Sequence, residues 1–468
     1  MSPLGTAAQP LRVAIIGAGP AGFYAAERLL KETDLTYEVD MFDRLPTPFG
    51  LVRNGVAPDH QKIKSVTAAF DRIAANPRFR FFGYVELGRE VSVDDLKNFY
   101  HQIVYSTGAQ TDRQLGIPGD DLLGSHPATE FVAWYNGHPD YRDYEFDLSQ
   151  ESVAVIGVGN VAVDVARILC RTIDELAKTD IADYALDALS RSRVKEVYIL
   201  GRRGPAQAAF TAPEAKELGE LADCDTLVPP DEAELDPLSR EQLAGADRAD
   251  IRKVEIIQEL SKRQPTGKSK QLILRFLVSP VELIGDENGR VKQMRLVKNE
   301  LYATAAGSLR PRAIDQFETL DAGLVFRSIG YRGVPLPGVP FHDSWGVIPN
   351  NNGRVIDLET NEQIPAQYAA GWIKRGPTGV IGTNKPDAAE TVEMMIADAR
   401  AGKVLDPQQP SAAEAEAFIC SRQQQVVTYV DWLKLDEIEL SRGKELGRPR
   451  LKFTRVADML AALERIPA

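Results

Sequence analysis

A strand-turn-helix unit with a glycine-rich turn occurs twice in this sequence, and this repetition limits the fold more than any other feature. Residues 11–30 read LRVAIIGAGPAGFYAAERLL, an apolar strand-like run, a glycine turn and a helix rich in Ala and Leu. Residues 152–170 repeat the arrangement as SVAVIGVGNVAVDVARILC. Such units build dinucleotide-binding βαβ folds. The sequence therefore predicts an α/β protein with two Rossmann-like dinucleotide-binding lobes.

The first unit carries Gly17, Gly19 and Gly22 in G-x-G-x-x-G spacing. The first glycine permits the tight turn, the second lets the backbone approach a pyrophosphate, and the third allows close helix packing. The next apolar run, residues 37–42, ends at Asp43, where a carboxylate can accept hydrogen bonds from ribose hydroxyls. These features fit the adenosine of FAD, and the alternative is an α/β turn that binds nothing.

The second unit has Gly157, Gly159 and Ala162 in the G-x-G-x-x-A variant. The following strand, residues 194–200, ends at Gly201 with Arg202 and Arg203 directly after it. Two guanidinium groups pair with a 2′-phosphate, whereas an acid would accept from a free 2′-hydroxyl, so this lobe is predicted to prefer NADP(H) to NAD(H). A solvated surface turn is the alternative for the arginine pair.

The order of the lobes follows from a third glycine-rich stretch, KRGPTGVIGTNKPDAAETV, which turns into a helix near Asp387. In flavoenzymes with two nucleotide sites, the first lobe is typically interrupted by the second. We therefore expect an FAD lobe at 1–110 and 334–468, the second part including a C-terminal extension, and an NADP lobe at 111–333. Strands at 272–284 and 291–298, joined by a turn at 285–289, are expected to form an antiparallel flap on the NADP lobe.

Composition excludes several other classes of protein. The 55 basic and 67 acidic side chains give a net charge of −12, which argues against binding to nucleic acid. No charged and apolar leader and no run of 18 apolar residues is present, so a cytoplasmic protein without membrane insertion is expected. Cys170, Cys224 and Cys420 form no CxxC pair, so neither a metal site nor a dithiol relay is predicted.

Four blocks in a fixed order carry a resemblance to a known family. They are LPTPFGLVRNGVAPDH at 45–60, GNVAVDVARIL at 159–169, GRRGPAQAAFT at 201–211 and GWIKRGPTGVIGTNK at 371–385. The chain resembles the adrenodoxin-type ferredoxin–NADP⁺ reductases, particularly their actinobacterial members, over nearly its whole length. The resemblance implies an FAD-dependent oxidoreductase that transfers hydride from NADPH to FAD and then single electrons to a ferredoxin-type iron–sulfur protein.

The resemblance also implies which residues contact the two cofactors. With Gly17 from the fingerprint, the residues implied for FAD are Gly19, Ala21, Gly22, Asp43, Gly50, Leu51, Val85, Trp372, Gly379, Val380 and Ile381. Those implied for NADP(H) are Arg113, Val158, Gly159, Asn160, Val161, Arg202, Arg203, Glu214 and Gly379. Family members commonly have Glu where Asp43 stands and Gln or Asn where Val158 stands.

Three side chains are candidates for a catalytic role. His60 and Asp164 resemble a His and Asp pair that lies near the flavin in the family, where a carboxylate would raise the pKa of the imidazole. We expect them to tune the flavin and its protonation, although a lone His is more often structural. Glu214 matches a carboxylate on the nicotinamide side, and the alternative is an acid in the first turn of a helix.

An acidic ferredoxin needs a local basic surface on this acidic chain. The richest candidate is the segment Arg248 to Lys270, with Arg248, Arg252, Lys253, Lys262, Arg263, Lys268 and Lys270. A solvated helix face is an equal alternative. The resemblance implies a monomer. Two other functions stay open, an NADPH diaphorase or oxidase that reduces small quinones or oxygen, and a nucleotide-binding redox sensor.

Overall fold

The computed structural model describes residues 3–464 and divides the chain into two compact units. The first unit comprises the chain up to Val56, His60–Thr111 and the chain from Tyr331 onward. The second unit comprises Asp112–Gly330 together with Ala57–Asp59. The first unit is thus built from separate stretches of sequence, with the second unit inserted between them.

The strands are, in chain order, β1 (Leu11–Ile16), β2 (Tyr37–Asp43), β3 (Phe79–Gly83), β4 (Gln102–Tyr105), β5 (Thr111–Asp112), β6 (Ser125–Pro127), β7 (Ser152–Ile156), β8 (Glu196–Gly201), β9 (Cys224–Leu227), β10 (Lys270–Phe276), β11 (Val278–Gly285), β12 (Val291–Ala303), β13 (Leu309–Asp321), β14 (Leu324–Arg327), β15 (Tyr331–Arg332), β16 (Asn350–Asn351), β17 (Arg354–Ile356) and β18 (Gln363–Ala369).

The α-helices are, in chain order, α1 (Pro20–Leu30), α2 (Leu51–Asn54), α3 (Gln61–Lys64), α4 (Thr67–Ala74), α5 (Val93–Lys97), α6 (Ala128–Tyr135), α7 (Asn160–Cys170), α8 (Ile173–Leu176), α9 (Asp183–Ser190), α10 (Ala212–Leu218), α11 (Pro230–Ala233), α12 (Pro237–Ala244), α13 (Arg248–Leu260), α14 (Trp372–Arg375), α15 (Asn384–Arg400), α16 (Ala412–Arg422), α17 (Tyr429–Glu445) and α18 (Val456–Glu464).

The first unit is organised around a sheet of order β16-β17-β18-β4-β1-β2-β3. The neighbours from β18 to β3 are parallel, and β16 and β17 add an antiparallel edge. All six residues of β1 are buried, as expected for a parallel strand with both faces covered. Since β18 comes from the part of the chain after the second unit and pairs with β4 from the part before it, the predicted discontinuous Rossmann lobe is confirmed.

The second unit contains a parallel sheet of order β6-β14-β7-β8-β10-β9, with β7 and its glycine turn near the centre. An antiparallel sheet of β11, β12 and β13 accompanies it, which confirms the predicted flap. The single strand expected at 272–284 is wrong. Leu277 adopts φ +57°, so β10 ends in the parallel sheet and β11 begins in the flap. Strand β13, the third of the flap, was not predicted.

Candidate cofactor-binding sites

The three glycines of the first βα turn do different work. Gly17 adopts φ +109°, and a Cβ added there would lie 2.7 Å from the Ser106 carbonyl oxygen. A Cβ on Gly22 would lie 2.3 Å from the Gly17 oxygen. Gly19 differs, because its φ of −86° suits any residue and its added Cβ would meet nothing within 4 Å. Neither packing nor backbone strain requires glycine at position 19, so the space above it fits the close approach of a ligand.

Two further glycine segments come together at this turn within the first unit. A Cβ added to Gly50 would lie 3.1 Å from the Gly19 Cα, and one added to Gly371 would lie 2.5 Å from the Ala21 Cβ. Both glycines have positive φ, +49° and +78°. The structure therefore brings the blocks at 45–60 and 371–385 to the glycine fingerprint at the N-terminus of α1. We call Gly19, Ala21, Gly50 and Gly371 the first cradle.

Asp43 ends β2 beside the first cradle and is already engaged by the backbone. Its Oδ2 accepts a hydrogen bond from the Ala18 N–H at 2.9 Å, and its Oδ1 accepts one from the Leu45 N–H at 3.0 Å. Burial raises the pKa of Asp43 in spite of these two bonds, which favour the charged form. Each carboxylate oxygen keeps a further lone pair, so the contact with a ribose stays a prediction.

The loop after α14 presents the other residues that the resemblance assigns to the flavin. The Trp372 Nε1–H donates to the Thr378 carbonyl oxygen at 3.1 Å, which closes the loop on itself. Gly379 follows with φ +79°, and Val380 beyond it is 56% exposed. Ile381 begins a short 3-10 helix and packs against the hydrophobic core of the unit. The exposed Val380 side chain offers apolar surface to a ring.

Leu51 and Val85 occupy opposite environments. Leu51 begins α2 and is 39% exposed, whereas Val85 is 1% exposed and donates its backbone N–H to the Asp43 carbonyl oxygen at 2.9 Å. The structure therefore places Leu51 at a surface and Val85 in the core next to the end of β2. Their contacts with FAD stay predictions.

In the second βα turn, Gly157 and Gly159 have the same structural features as Gly17 and Gly19 in the first. Gly157 adopts φ +132°, and its added Cβ would lie 2.1 Å from the Ser328 carbonyl oxygen. Gly159 has φ −99°, and its added Cβ would meet nothing within 4 Å. The Oδ1 of Asn160 is buried and accepts no hydrogen bond from any described residue. Open space above Gly159 and an unused buried acceptor both fit a bound ligand.

The two neighbours of Gly159 complete this turn. The Val158 carbonyl oxygen accepts hydrogen bonds from the Ala209 and Phe210 N–H groups, at 2.8 and 3.0 Å. Val161, in the first turn of α7, packs against the core of the second unit. The segment after β8 is thus fastened to the glycine turn, which brings the arginines of that segment into the same region of the second unit.

Arg202 and Arg203 directly follow β8. Across residues 3–464, no carboxylate lies within 4 Å of either guanidinium group, and Arg202 is exposed. Burial and the neighbouring charge of Arg202 lower the pKa of Arg203. Two like charges held side by side are stabilised by an anion. This pair is therefore suited to a phosphate group.

Arg113 is exposed and follows an unusual buried acid that the sequence did not single out. The Asp112 Oδ2 accepts the Thr129 N–H at 2.9 Å, while its Oδ1 is buried and accepts no hydrogen bond from the described part of the chain. Burial raises the pKa of Asp112 to about 6. No motif marked this residue, because its burial depends on the tertiary fold.

Glu214 forms a capping box at the start of α10. Its Oε2 accepts the Thr211 N–H at 2.7 Å and the Thr211 hydroxyl at 2.6 Å. The structure thus shows the helix-terminus role that the sequence left open for this acid. A second role beside the nicotinamide stays a prediction.

His60 and Asp164 fall in different units, His60 directly before α3 and Asp164 on α7. Asp164 Oδ1 accepts a hydrogen bond from Arg167 Nη2 at 2.7 Å. The fully buried Arg167 also binds both carboxylate oxygens of Asp59, at 2.6 and 2.9 Å. Burial alone would lower the pKa of Arg167, but the two carboxylates raise it. Sequence reasoning missed Asp59 and Arg167, which share no motif and lie 108 positions apart.

The expectation that Lys253 contributes to an exposed basic surface is wrong. Lys253 is 4% exposed, and its ammonium group donates to the Ala208 carbonyl oxygen at 2.7 Å and to Asp250 at 2.8 Å. It occupies the core-facing side of α13 next to Val254 and Ile257. The helical period, which places every third or fourth residue inward, is the reason.

The remaining basic residues of this segment differ in availability. Arg252 is exposed but paired with Glu255 at 2.9 Å and Glu259 at 3.2 Å. Arg263 is exposed and donates to the Gly219 carbonyl oxygen at 2.6 Å. Four exposed members of the predicted surface have no carboxylate within 4 Å among the described residues: Arg248, Lys262, Arg263 and Lys268.

Residues 3–464 contain no helix that is both long and apolar enough to cross a membrane. The same residues contain no group of three or more His, Cys, Asp or Glu side chains arranged to hold a metal ion. Cys170 and Cys224 are buried free thiols, and Cys420 is an exposed one.

Comparison with known proteins agrees with this architecture. The family described as pyridine nucleotide-disulphide oxidoreductase matches residues 11–204. The NADPH-ferredoxin reductase FprA of Mycobacterium tuberculosis is 44% identical over 460 residues, which cover 97% of this chain and 99% of that protein. The mitochondrial NADPH:adrenodoxin oxidoreductase of Arabidopsis thaliana is 39% identical and covers 97% of this chain and 95% of that protein.

A solved structure extends the similarity to three dimensions. The structure of M. tuberculosis FprA in complex with NADPH has a TM-score of 0.91 and 43% sequence identity, and the match covers 97% of this chain and all of that one. Both nucleotide-binding units therefore have counterparts in that structure. The chain belongs to the adrenodoxin-type ferredoxin–NADP⁺ reductase family.

Proposed function

We propose that this protein is an NADPH–ferredoxin reductase, with FAD on the first unit and NADP(H) on the second. One observation supports this assignment more than any other. Both βα turns keep a glycine whose added Cβ would meet nothing, Gly19 and Gly159, and only the second turn has an arginine pair without a carboxylate partner nearby. Two dinucleotide sites of different charge are what such a reductase requires.

When bound, FAD accepts a hydride from NADPH and then gives single electrons to an iron–sulfur protein. The chain's own groups bind the two cofactors, align them and exclude water. In the first unit we assign binding to the first cradle and to the carboxylate of Asp43. In the second unit, the N–H groups at the start of α7 suit the pyrophosphate, and Arg202 and Arg203 suit a 2′-phosphate.

The catalytic assignments are separate proposals. We assign to His60 and Asp164 the tuning of the flavin and its proton, and to Glu214 a contact on the nicotinamide side beyond its capping role. The contact between Asp164 and Arg167 favours the ionised carboxylate. Replacing His60 with Ala is expected to alter the pH profile of flavin reduction by NADPH, and an unchanged rate and profile would remove this role.

The iron–sulfur partner is proposed to be an acidic ferredoxin that docks on the exposed basic residues of the second unit. Arg248, Lys262 and Arg263 support this surface, because they are exposed and have no carboxylate within 4 Å in the described chain. Arg252, whose charge is offset by two glutamates, is expected to contribute less. We further propose a monomer that acts in the cytoplasm.

Acceptor kinetics test the function. We expect a low Michaelis constant for an acidic ferredoxin that rises as salt is added, since opposite surface charges bring the two proteins together. Replacing Arg248 and Lys262 with Glu should raise this constant and flatten its salt dependence. The matched control is Lys195 replaced with Glu, a basic residue of the same unit outside the docking segment. Efficient turnover with small quinones but none with ferredoxin would instead indicate a diaphorase.

A further inference from the structure

Helix α17 (Tyr429–Glu445), in the C-terminal extension, has no role in the function proposed above, yet it packs on the segment that carries part of the first cradle. That segment is Phe49–Asn54, which contains Gly50 and continues into α2. Helix α17 lies some 380 positions later in the chain and belongs to the same unit. Two of its side chains, Trp432 and Glu439, contact this segment, and both are buried.

The turn at the start of this segment is held in a costly conformation. Phe49 has φ +83° and Gly50 has φ +49°, two residues with positive φ in succession. For a residue with a Cβ such as Phe49 this region costs about 1–2 kcal/mol. Strained residues persist where the surrounding structure leaves them no alternative, and they concentrate at ligand sites. Here the Phe49 N–H donates to the Ala18 carbonyl oxygen at 2.7 Å, which places Gly50 against Gly19.

Trp432 of α17 supports the strained turn from behind. It is 1% exposed, and its ring meets the Phe49 ring edge-on, with centroids 5.7 Å apart and planes at 88°. Phe23 and Phe70 flank Phe49 at 5.5 and 5.9 Å. Such aromatic pairs contribute about 0.5–1.5 kcal/mol beyond the area they bury. Trp432 therefore limits where the Phe49 ring can lie.

Glu439, two turns further along α17, anchors the other end of the segment. Both of its carboxylate oxygens accept hydrogen bonds from Arg53, at 2.8 and 2.5 Å, and the Arg53 guanidinium lies 5.1 Å from the Trp432 ring centroid. The Lys452 ammonium group donates to the Arg53 carbonyl oxygen at 3.1 Å. A bidentate pair of this kind fixes both distance and orientation. It therefore determines the position of α2 relative to α17.

The charge on Glu439 is balanced inside the unit. Its side chain is fully buried, and burial alone would raise its pKa, but Arg53 and then Arg450 lower it below its ordinary value. Arg450 approaches at 3.0 Å, and the Phe453 N–H donates to the same carboxylate at 2.8 Å. Removing the charge would leave Arg53 buried without its partner, so the register of segment 49–54 depends on this carboxylate.

We propose that Trp432 and Glu439 are positioning residues for FAD: they hold the strained Phe49–Gly50 turn against Gly19, so helix α17 determines how tightly the first unit retains its flavin. This inference rests on the proposed placement of FAD in the first unit. It adds that residues of the tail, which do not belong to the first cradle, control the shape of that cradle.

The test compares FAD release from purified holoenzymes. Glu439→Gln keeps the shape of the side chain and removes its charge, and we expect FAD to dissociate about tenfold faster, together with a changed visible circular dichroism spectrum of the flavin that remains bound. The matched control is Asp436→Asn, on the same helix, which removes the other carboxylate that binds Arg450 and has no bond to Arg53. Its release rate and flavin spectrum should stay close to those of the parent protein.

If Glu439→Gln folds poorly, a second pair of variants, at Trp432, tests the same proposal. Trp432→Phe keeps an aromatic ring and should release FAD only slightly faster than the parent, whereas Trp432→Leu should approach the rate expected for Glu439→Gln. Melting temperatures of the apoproteins, measured in parallel, separate loss of positioning from loss of the fold. Release rates and flavin spectra that match the parent and Asp436→Asn would overturn the inference, as would faster release that tracks apoprotein melting alone. A parent protein that holds no FAD would instead overturn the proposed function.

Discussion

The two βα turns of this protein have nearly the same backbone and different surroundings. Gly19 and Gly159, the middle glycines, have φ and ψ of −86° and −178°, and of −99° and 174°. Gly17 and Gly157 each adopt a positive φ beneath a neighbouring carbonyl oxygen. At the end of the next strand, however, the first unit has Asp43, whose carboxylate accepts the Ala18 N–H of the turn, and the second unit has two arginines. The comparison teaches that the fold supplies the same turn twice, and under the proposed function the residues after the next strand select the nucleotide.

The first turn is also more enclosed than the second. Gly50 and Gly371, from distant parts of the chain, lie against Gly19 and Ala21. Among the described glycines, none has an added Cβ that would lie within 4 Å of Gly159. An enclosed site suits a resident cofactor, and a more open one suits a coenzyme that enters and leaves in each turnover.

The largest expected effects come from substitutions of the two middle glycines, each of which should lower the affinity for one nucleotide only. Gly19→Val should lower the affinity for FAD about 100-fold or more, because its side chain fills the ligand space, and Gly159→Val should do the same to NADPH while FAD stays bound. Titrations with each nucleotide measure this. Both variants should melt near the parent temperature as apoproteins, since neither new Cβ meets protein atoms. Gly245→Ala, at an exposed helix end, is the control. Loss of both nucleotides from either variant would contradict independent sites.

Removal of the arginine pair tests whether Arg202 and Arg203 select NADPH over NADH. The double variant Arg202→Ala, Arg203→Ala should lower kcat/KM for NADPH about 100-fold, because each charged hydrogen bond to a phosphate contributes about 1.5–3 kcal/mol. Its kcat/KM for NADH should change less than about threefold. Steady-state kinetics with both coenzymes measure the ratio. Arg252→Ala, an exposed arginine of the same unit, serves as the control, and an equal fall for both coenzymes would refute phosphate recognition by the pair.

Asp112 of the second unit is expected to make the free energy of unfolding depend on pH. Burial raises its pKa to about 6, whereas Asp in an unfolded chain titrates near about 3.9. The folded state therefore keeps its proton to higher pH, and the free energy of unfolding falls as pH rises from about 4 to about 6. Asp112→Asn has no carboxyl group to titrate at this position. The free energy of unfolding of the variant, minus that of the parent, should therefore increase by up to about 2 kcal/mol between pH 4 and pH 8.

Urea unfolding of both proteins at pH 4 and pH 8 measures this gain. Asp187→Asn, at an exposed position on α9 of the same unit, is the control and should show no such gain. A difference between Asp112→Asn and the parent that is equal at the two pH values would show that Asp112 does not titrate differently in the folded state.

The smallest expected effect concerns Asp43. Asp43→Asn keeps an oxygen that can accept from the Ala18 N–H but removes the charge, so we expect FAD affinity to fall about tenfold with NADPH affinity unchanged. Glu38→Gln, on the same strand and half-exposed, is the control. FAD affinity equal to that of the parent would assign Asp43 to backbone support alone.

The features that the sequence predicted are formed by adjacent residues, whereas those that it missed join residues far apart in the chain. The fingerprints at 17–22 and 157–162 were predictable because each strand, turn and helix is encoded by adjacent residues. The buried pair Arg53–Glu439 joins residues 386 positions apart, and Arg167–Asp59 joins residues 108 apart. No local pattern marks such partners, since only the folded chain brings them together.

Two predictions from the sequence were wrong, one about the path of a strand and one about the exposure of a lysine. The run at 272–284 has no glycine, and its Pro280 and Glu282 come after Leu277, so nothing next to Leu277 indicated that this residue would adopt φ +57° and send the two halves into different sheets. Lys253 was assigned to a surface from its charge, although its position on α13 places it inward, where its ammonium group caps the Ala208 carbonyl oxygen. Charge alone does not predict exposure, and the position of Lys253 in the helical period accounts for its burial.

The most direct test is an anaerobic stopped-flow experiment in which the purified holoenzyme is mixed with NADPH or, separately, with NADH. The absorbance of the bound flavin is followed until it bleaches, and ferredoxin is then added. The account predicts fast bleaching with NADPH, much slower bleaching with NADH, and rapid reoxidation by ferredoxin. Equal bleaching by both coenzymes would contradict the role of Arg202 and Arg203, and a protein without flavin would contradict the assignment of the first cradle.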